Sequence, residues 1–205
     1  PIMTNGIISD LDFEDGSFIF YPNSLDSGSF LYSIIFAEIE GTDEATVTIS
    51  NSESAPVIIV TTTEDELNED GDCSLREAIE SANKNIQIDN CSAGQEGSDV
   101  IVFNQDSIDS FTYNISLAGS SEDGNSTGDF DILEDLTIIG CGPSSTIINA
   151  KDEDRVFHIL GATTEVNFRG VTIKNGTVTG DYGGLIYNEG TLNLTFVTLS
   201  DGAAI

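Results

Sequence analysis

The chain is short of positive charge. Six Lys and Arg stand against 36 Asp and Glu in 205 residues, a formal net charge of −30 at pH 7. A surface of that sign repels nucleic-acid phosphates and anionic lipid headgroups and attracts divalent cations or basic partners, which sets nucleic-acid binding aside. Histidine is scarcer still, with His158 alone, and none of the three cysteines falls in a Cys-x-x-Cys pair, so a Cys/His metal cluster is not expected. A membrane span needs about 18 consecutive apolar residues. The longest mostly apolar stretch here runs only from Phe30 to Ala37. Pro1 opens the sequence with neither an initiator Met nor a signal peptide, and a processed, excised or incompletely seen chain is the expectation. Phosphate loops, cofactor fingerprints and Ser/His/Asp or Cys/His arrangements are missing as well.

Against these absences stands one convincing helix, Cys73-Ser-Leu-Arg-Glu-Ala-Ile-Glu-Ser-Ala-Asn83, in a sequence otherwise made of short strands. Ser74 can serve as N-cap with Glu77 as its capping-box partner three residues on, and Leu75, Ala78, Ile79 and Ala82 share one face at helical spacing. Just upstream, Glu64 to Asp72 places six carboxylates in nine residues around a flexible Gly71. Clustered oxygen ligands suit Ca²⁺, although the spacing is not that of an EF-hand loop. Asp65, Asn68, Asp70 and Asp72 are the candidate calcium ligands, with a solvated acidic loop stabilised by general screening as the alternative.

Beyond the helix the sequence repeats. Val166-Asn-Phe-Arg-Gly-Val-Thr-Ile-Lys-Asn-Gly176 aligns with Leu192-Asn-Leu-Thr-Phe-Val-Thr-Leu-Ser-Asp-Gly202 at an offset of 26, and Leu136-Thr-Ile-Ile-Gly140 aligns with Val166-Asn-Phe-Arg-Gly170 at 30. Such periods, carried by strands of three to five residues, suit one turn of a β-solenoid. Val171, Ile173, Val197 and Leu199 are expected to face inward and Thr172 and Thr198 outward. A solenoid leaves strand edges open at its ends, and the Leu75/Ile79 face of the helix is expected to close the first one, before Val100-Ile-Val-Phe-Asn104. The alternative is a helix lying on the side of the coil. Of the cysteines, Cys73 and Cys91 bracket the helix and are the expected disulfide, leaving Cys141 as a buried free thiol.

Residues 1–56 read as antiparallel strands: Asp10 to Pro22 with a hairpin turn signal at Glu14-Asp-Gly16, then Ser29 to Phe36, then Ala45 to Ser50. Asn90, Asn114, Asn125, Asn175 and Asn193 each begin a formal glycosylation signal, in a chain so rich in Asn, Ser and Thr that chance explains most of them.

The candidate catalytic groups are Arg169 and Lys174 near Asp152, Glu153 and Asp154, or the pair Asp129 and Asp131, two apart and able to point to one side. Each acid reads as one member of a solvated crowd. His158, inside Val156-Phe-His-Ile159, reads as a satisfied wall residue, and the outward aromatics Tyr182 and Tyr187 are few for a sugar platform.

Two resemblances follow from these motifs. Val60-Thr-Thr-Thr, an acidic loop, Cys73-Ser-Leu-Arg-Glu-Ala-Ile79 and Ala82-Asn resemble the N-terminal CSLREA domain at the head of secreted parallel β-helix proteins. Gly128-Asp-Phe-Asp-Ile-Leu133, Asp135 to Gly140, Thr146 to Asn149, Arg155 to Ile159 and Val171 to Gly176 resemble that family's later landmarks. The first 56 residues resemble part of a bacterial cadherin-like or immunoglobulin-like surface repeat. The resemblances imply an all-β chain: a partial antiparallel β-sandwich over 1–56, then a right-handed parallel β-helix with a short N-terminal capping α-helix over 57–205. The implied role is a non-catalytic extracellular structural or adhesive module at the cell surface, with a carbohydrate-active or carbohydrate-binding β-helix as the alternative. Its expected partners are neighbouring surface domains or identical subunits joined head to tail as in a fibre, with Ca²⁺ the one cofactor considered.

Overall fold

The computed structural model describes residues 6–9, 19–22, 57–104, 109–119 and 122–205. In the first block, β1 (Gly6–Ser9) pairs antiparallel with β2 (Ile19–Pro22), Gly6 opposite Pro22 and Ser9 opposite Ile19. The Glu14 to Gly16 turn and the strands expected at Ser29 to Phe36 and Ala45 to Ser50 lie outside the described residues.

The rest is mostly β, with one short helix. Twelve described strands form three sheets in which every neighbour is parallel. The first sheet holds β3 (Val57–Val60), β4 (Asp99–Phe103), β7 (Leu136–Ile139), β10 (Glu165–Arg169) and β13 (Thr191–Thr195) in that order. The second holds β5 (Phe111–Asn114), β8 (Thr146–Asn149), β11 (Thr172–Val178) and β14 (Thr198–Ala204). The third is β6 (Phe130–Ile132), β9 (Phe157–Ile159) and β12 (Ile186–Asn188). From β4 onward each strand pairs with the strand three places later in the chain, so the polypeptide visits the sheets in rotation.

Register follows the repeats of the sequence. Leu136 stands beside Val166 and Val166 beside Leu192, the spacings of 30 and 26 residues. Identical positions thus stack, and a β-strand's alternation sends Val166 and Phe168 into the core while Asn167 faces out and meets Asn193. The three sheets share one apolar cluster. Phe157 of the third sheet touches Phe168 of the first at 4.7 Å between ring centroids and Phe130 beside it at 5.5 Å, while Phe103 of the first meets Tyr113 of the second at 4.7 Å. Each fully buried Ile or Phe contributes on the order of 1.5–3 kcal/mol.

Stacking repeats on the outer edges as well. Asn175 donates to Asn149 and Asn149 to Asn114, at 2.9 and 2.8 Å, a ladder of side-chain amides running along the second sheet. Two positions differ from the expected alternation. Thr172 is buried because its hydroxyl donates to Pro143 O at 2.6 Å, and Leu199, on the last strand of its sheet, is 46% exposed because no described strand lies beyond it. Cys141 is free and half-buried rather than buried.

Helix α1 (Leu75–Lys84) begins where its caps dictate: Glu77 N–H donates to Ser74 Oγ at 3.1 Å and Ser74 N–H to Glu77 Oε2 at 3.0 Å. It ends at Asn85, whose left-handed backbone (φ 56°) closes the last turn. Leu75, Ala78, Ile79 and Ala82 are buried, and the helix packs on β3, β4 and β6. Cys73, just before the helix, is bonded to Cys91 after it. No helix among the described residues is long and apolar enough to cross a membrane.

Candidate functional site

Two polar constellations stand apart from the solvated acidic surface. The first is built on Arg76, whose side chain is wholly buried. Its Nε donates to Asp65 Oδ1 at 2.6 Å and its Nη2 to Asp65 Oδ2 at 3.2 Å, a two-point pairing, and Nη2 also donates to Gly128 O at 2.7 Å. Nη1 reaches the Asp129 carbonyl at 3.2 Å, and the guanidinium lies 4.6 Å from the Phe130 ring centre. Asp65 Oδ2 further accepts the N–H groups of Ser116 and Leu117, at 2.7 and 2.9 Å, just past β5. Gly128 is tightly constrained. Its φ is +65°, and a Cβ there would stand 2.6 Å from Gly119 O.

Helix α1 satisfies a strand edge in the same way. Asn83 Nδ2 donates to Asp131 O at 2.8 Å while Asn83 Oδ1 accepts from Leu133 N at 2.9 Å, so one side-chain amide takes the place of a neighbouring strand along β6. Asn125 joins the two constellations. Its Nδ2 donates to Arg76 O at 2.9 Å and its backbone N–H to Asp131 Oδ2 at 2.8 Å.

The second constellation lies on the outer face of the third sheet. The strands Phe130-Asp-Ile132, Phe157-His-Ile159 and Ile186-Tyr-Asn188 run in register, so Asp131, His158 and Tyr187 stand side by side while their neighbours Phe130, Ile132, Phe157 and Ile159 fill the core. His158 stacks on Tyr187 at 4.9 Å. Beside them a cleft of about 600 Å³ opens, walled by Glu122, Asp123, Asp129, Asp154, Arg155 and Asp181 among others. Arg155 is the one Lys or Arg among its described walls, 2.9 Å from Asp129 Oδ2 through Nε, donating to Asp181 Oδ2 at 2.8 Å and lying over the Tyr187 ring at 5.4 Å.

The electrostatics here are tense. Burial, with Asp131 and Asp154 beside it, pushes the Asp129 carboxyl up to about 7 despite Arg155. Burial also pushes Asp131 up to about 7, its bond from Asn125 N–H only partly opposing this. Burial and the Arg155 charge hold His158 below its ordinary value, so the imidazole is neutral at pH 7.

The sequence-derived calcium set Asp65, Asn68, Asp70 and Asp72 is not assembled as one group. Asp65 has both oxygens engaged by Arg76 and by backbone N–H groups, and Asn68 Nδ2 donates to Glu66 at 2.6 Å. Asp70 and Asp72 instead lie with Glu66, their carboxylate oxygens within 4.8 Å of one another. Burial and these neighbours raise Glu66 and Asp72 above the usual carboxylate range. Among the formal glycosylation signals, Asn90 and Asn193 are exposed and Asn114 and Asn175 half-buried in the amide ladder. Asn125 is a correction: it is wholly buried against Arg76, and no glycan fits there.

Asp129 lines the cleft and Asp131 stands near enough to raise its carboxyl, with Asp152, Glu153 and Asp154 also among the walls, but Arg169 and Lys174 do not join them there. The pairing of Arg76 with Asp65 and the meeting of His158 with Asp131 and Asp123 were not read from the sequence. The recurring apolar-x-apolar triplets Phe130-Asp-Ile132 and Phe157-His-Ile159 carry the signal for the second, since their middle residues must share a face. Comparison of the chain with protein-family models, with curated proteins and with solved structures found no match.

Proposed function

We propose that the chain is a non-catalytic extracellular structural module whose residues 57–205 form a right-handed parallel β-helix sealed at its first coil by α1. The carrying observation is that side chains of 65–83 meet the polar groups at the open edges: Asn83 lines the edge of β6, and Asp65 takes the Ser116 and Leu117 N–H groups beyond β5. An unsealed edge would template pairing with other chains, so the segment before β4 is given the job of preventing it. The rotation of the chain through three parallel sheets supports a helical coil, and the strong preference of parallel crossovers for one hand supports a right-handed one. The Cys73–Cys91 disulfide supports an oxidising compartment. In this reading residues 1–56 are a separate partial sandwich, and the partners are neighbouring surface domains or further copies of the chain.

The test replaces Leu75 and Ile79 by Asp. The sealed coil is expected to lose its cooperative thermal transition and to form large species in light scattering. A double variant that melts like the parent and keeps the parent's size distribution would exclude the sealing role.

A carbohydrate-binding or carbohydrate-active β-helix is the second reading, favoured by Tyr182, 74% exposed and 6.4 Å from Tyr187 at the rim of the acidic cleft. Saturable quenching of tyrosine fluorescence by oligosaccharides, lost in Tyr182→Ala, is its expected signature. Product release from those sugars separates activity from binding.

A further inference from the structure

We propose that Asp123, Asp131 and His158 bind one divalent transition-metal ion of the zinc class at the floor of the acidic cleft.

The placement follows from register. Asp131 and His158 are paired residues at the centres of β6 and β9, and Asp123 comes over them from the segment before Asn125. His158 Nδ1 stands 3.4 Å from Asp131 Oδ1 and 3.6 Å from Asp123 Oδ1, and one oxygen from each acid and the imidazole nitrogen all lie within 4.8 Å of one another. A tetrahedral ion with bonds of about 2.0–2.1 Å holds its ligand atoms about 3.3 Å apart, close to both separations.

A second feature points into the same space. The Asp131 side chain is wholly buried, yet Oδ1 accepts no hydrogen bond, while Oδ2 is held by Asn125 N–H. A fully buried carboxylate oxygen without a donor is costly, and a cation is the partner that would relieve it. Arg155 does not supply that charge, being spent on Asp129 and Asp181. The imidazole is already oriented by stacking on Tyr187. One nitrogen with two carboxylate oxygens suits Zn²⁺ or Co²⁺, whereas Ca²⁺ and Mg²⁺ take oxygen ligands. The Asp123 side chain is 70% exposed, so the remaining coordination positions face the cleft and water.

The experiment is a Co²⁺ titration of the full, tag-free chain after chelator treatment, near pH 7, followed by visible absorption. The expected result is one saturable Co²⁺ per chain, displaced by Zn²⁺ and retained against an equal concentration of Ca²⁺. Asp123→Asn, at a position whose side chain is mostly exposed, and His158→Gln should each weaken binding by about tenfold or more. Glu66→Gln, in the acidic loop before the helix, should leave it unchanged. An absence of saturable binding, displacement by Ca²⁺, survival of binding in Asp123→Asn, or loss in Glu66→Gln would each overturn the proposal.

Discussion

Arg76 and Asp65 meet at two points, Nε to Oδ1 at 2.6 Å and Nη2 to Oδ2 at 3.2 Å, and their side chains are 0% and 2% exposed. The pair fastens the segment before the helix to the chain beyond β5 and to the turn carrying Gly128. Removing one member leaves a buried charge, which costs about 3–5 kcal/mol. Arg76→Ala should lower the unfolding free energy by that amount in urea titrations. Arg76→Lys should recover little of it, since an ammonium cannot pair in two points with Asp65 while reaching the Gly128 and Asp129 carbonyls. Full stability in the Lys variant would show that charge alone suffices.

The Cys73–Cys91 bond spans 18 residues and encloses α1. Loop-closure entropy for that span corresponds to about 3 kcal/mol. The Cys73→Ser/Cys91→Ser double variant should lose stability of that order. Titration of the denatured, unreduced parent should find one reactive thiol, Cys141, and three after reduction. Three thiols before reduction would contradict the bond.

Asp99, at the start of β4, gives a pH dependence. Burial raises its carboxyl to about 6, opposed by the Gln95 N–H and reinforced by Glu134. The unfolded value is about 3.9. Between about pH 4 and pH 6 the folded chain therefore binds more protons than the unfolded one, and stability falls as pH rises through that window. Asp129 and Asp131, both about 7, extend the decline in the metal-free protein toward pH 7. Asp99→Asn keeps an acceptor for Gln95 and should flatten the lower part of the decline in urea titrations from pH 4 to 7. An unchanged slope in the variant would remove Asp99 as its source.

The sequence displays the stacking of strands because stacking is itself a repetition. Residues one repeat apart occupy equivalent places on neighbouring parallel strands, so Leu136, Val166 and Leu192 had to be alike, and their offsets became the register. The helix was legible for a different reason, since Ser74, Glu77 and the Leu75/Ile79 face are local signals. Arg76 was not legible: arginine is ordinarily a surface residue, and its partners at Asp65, Gly128 and Asp129 carry no periodicity. Asn125 misled for the same reason, because its sequence context is that of an exposed signal while its contacts, to Arg76 and Asp131, are long-range or buried. Asp131 and His158 were half legible. The triplets around them carry an outward signal that the reading of His158 as a satisfied wall residue did not use, and only the covering segment with Asp123 makes a cluster of them.

Three parallel sheets packed on one apolar core make up the fold over 57–205. Through-space proton contacts in a NOESY spectrum of the full chain test this arrangement most directly. The expected result is contact between the rings of Phe157 and Phe168, which lie on different sheets, together with parallel-strand backbone contacts linking Val166 to the levels of Leu136 and Leu192. Antiparallel contacts along these strands, or no contact between the Phe157 and Phe168 rings, would contradict it.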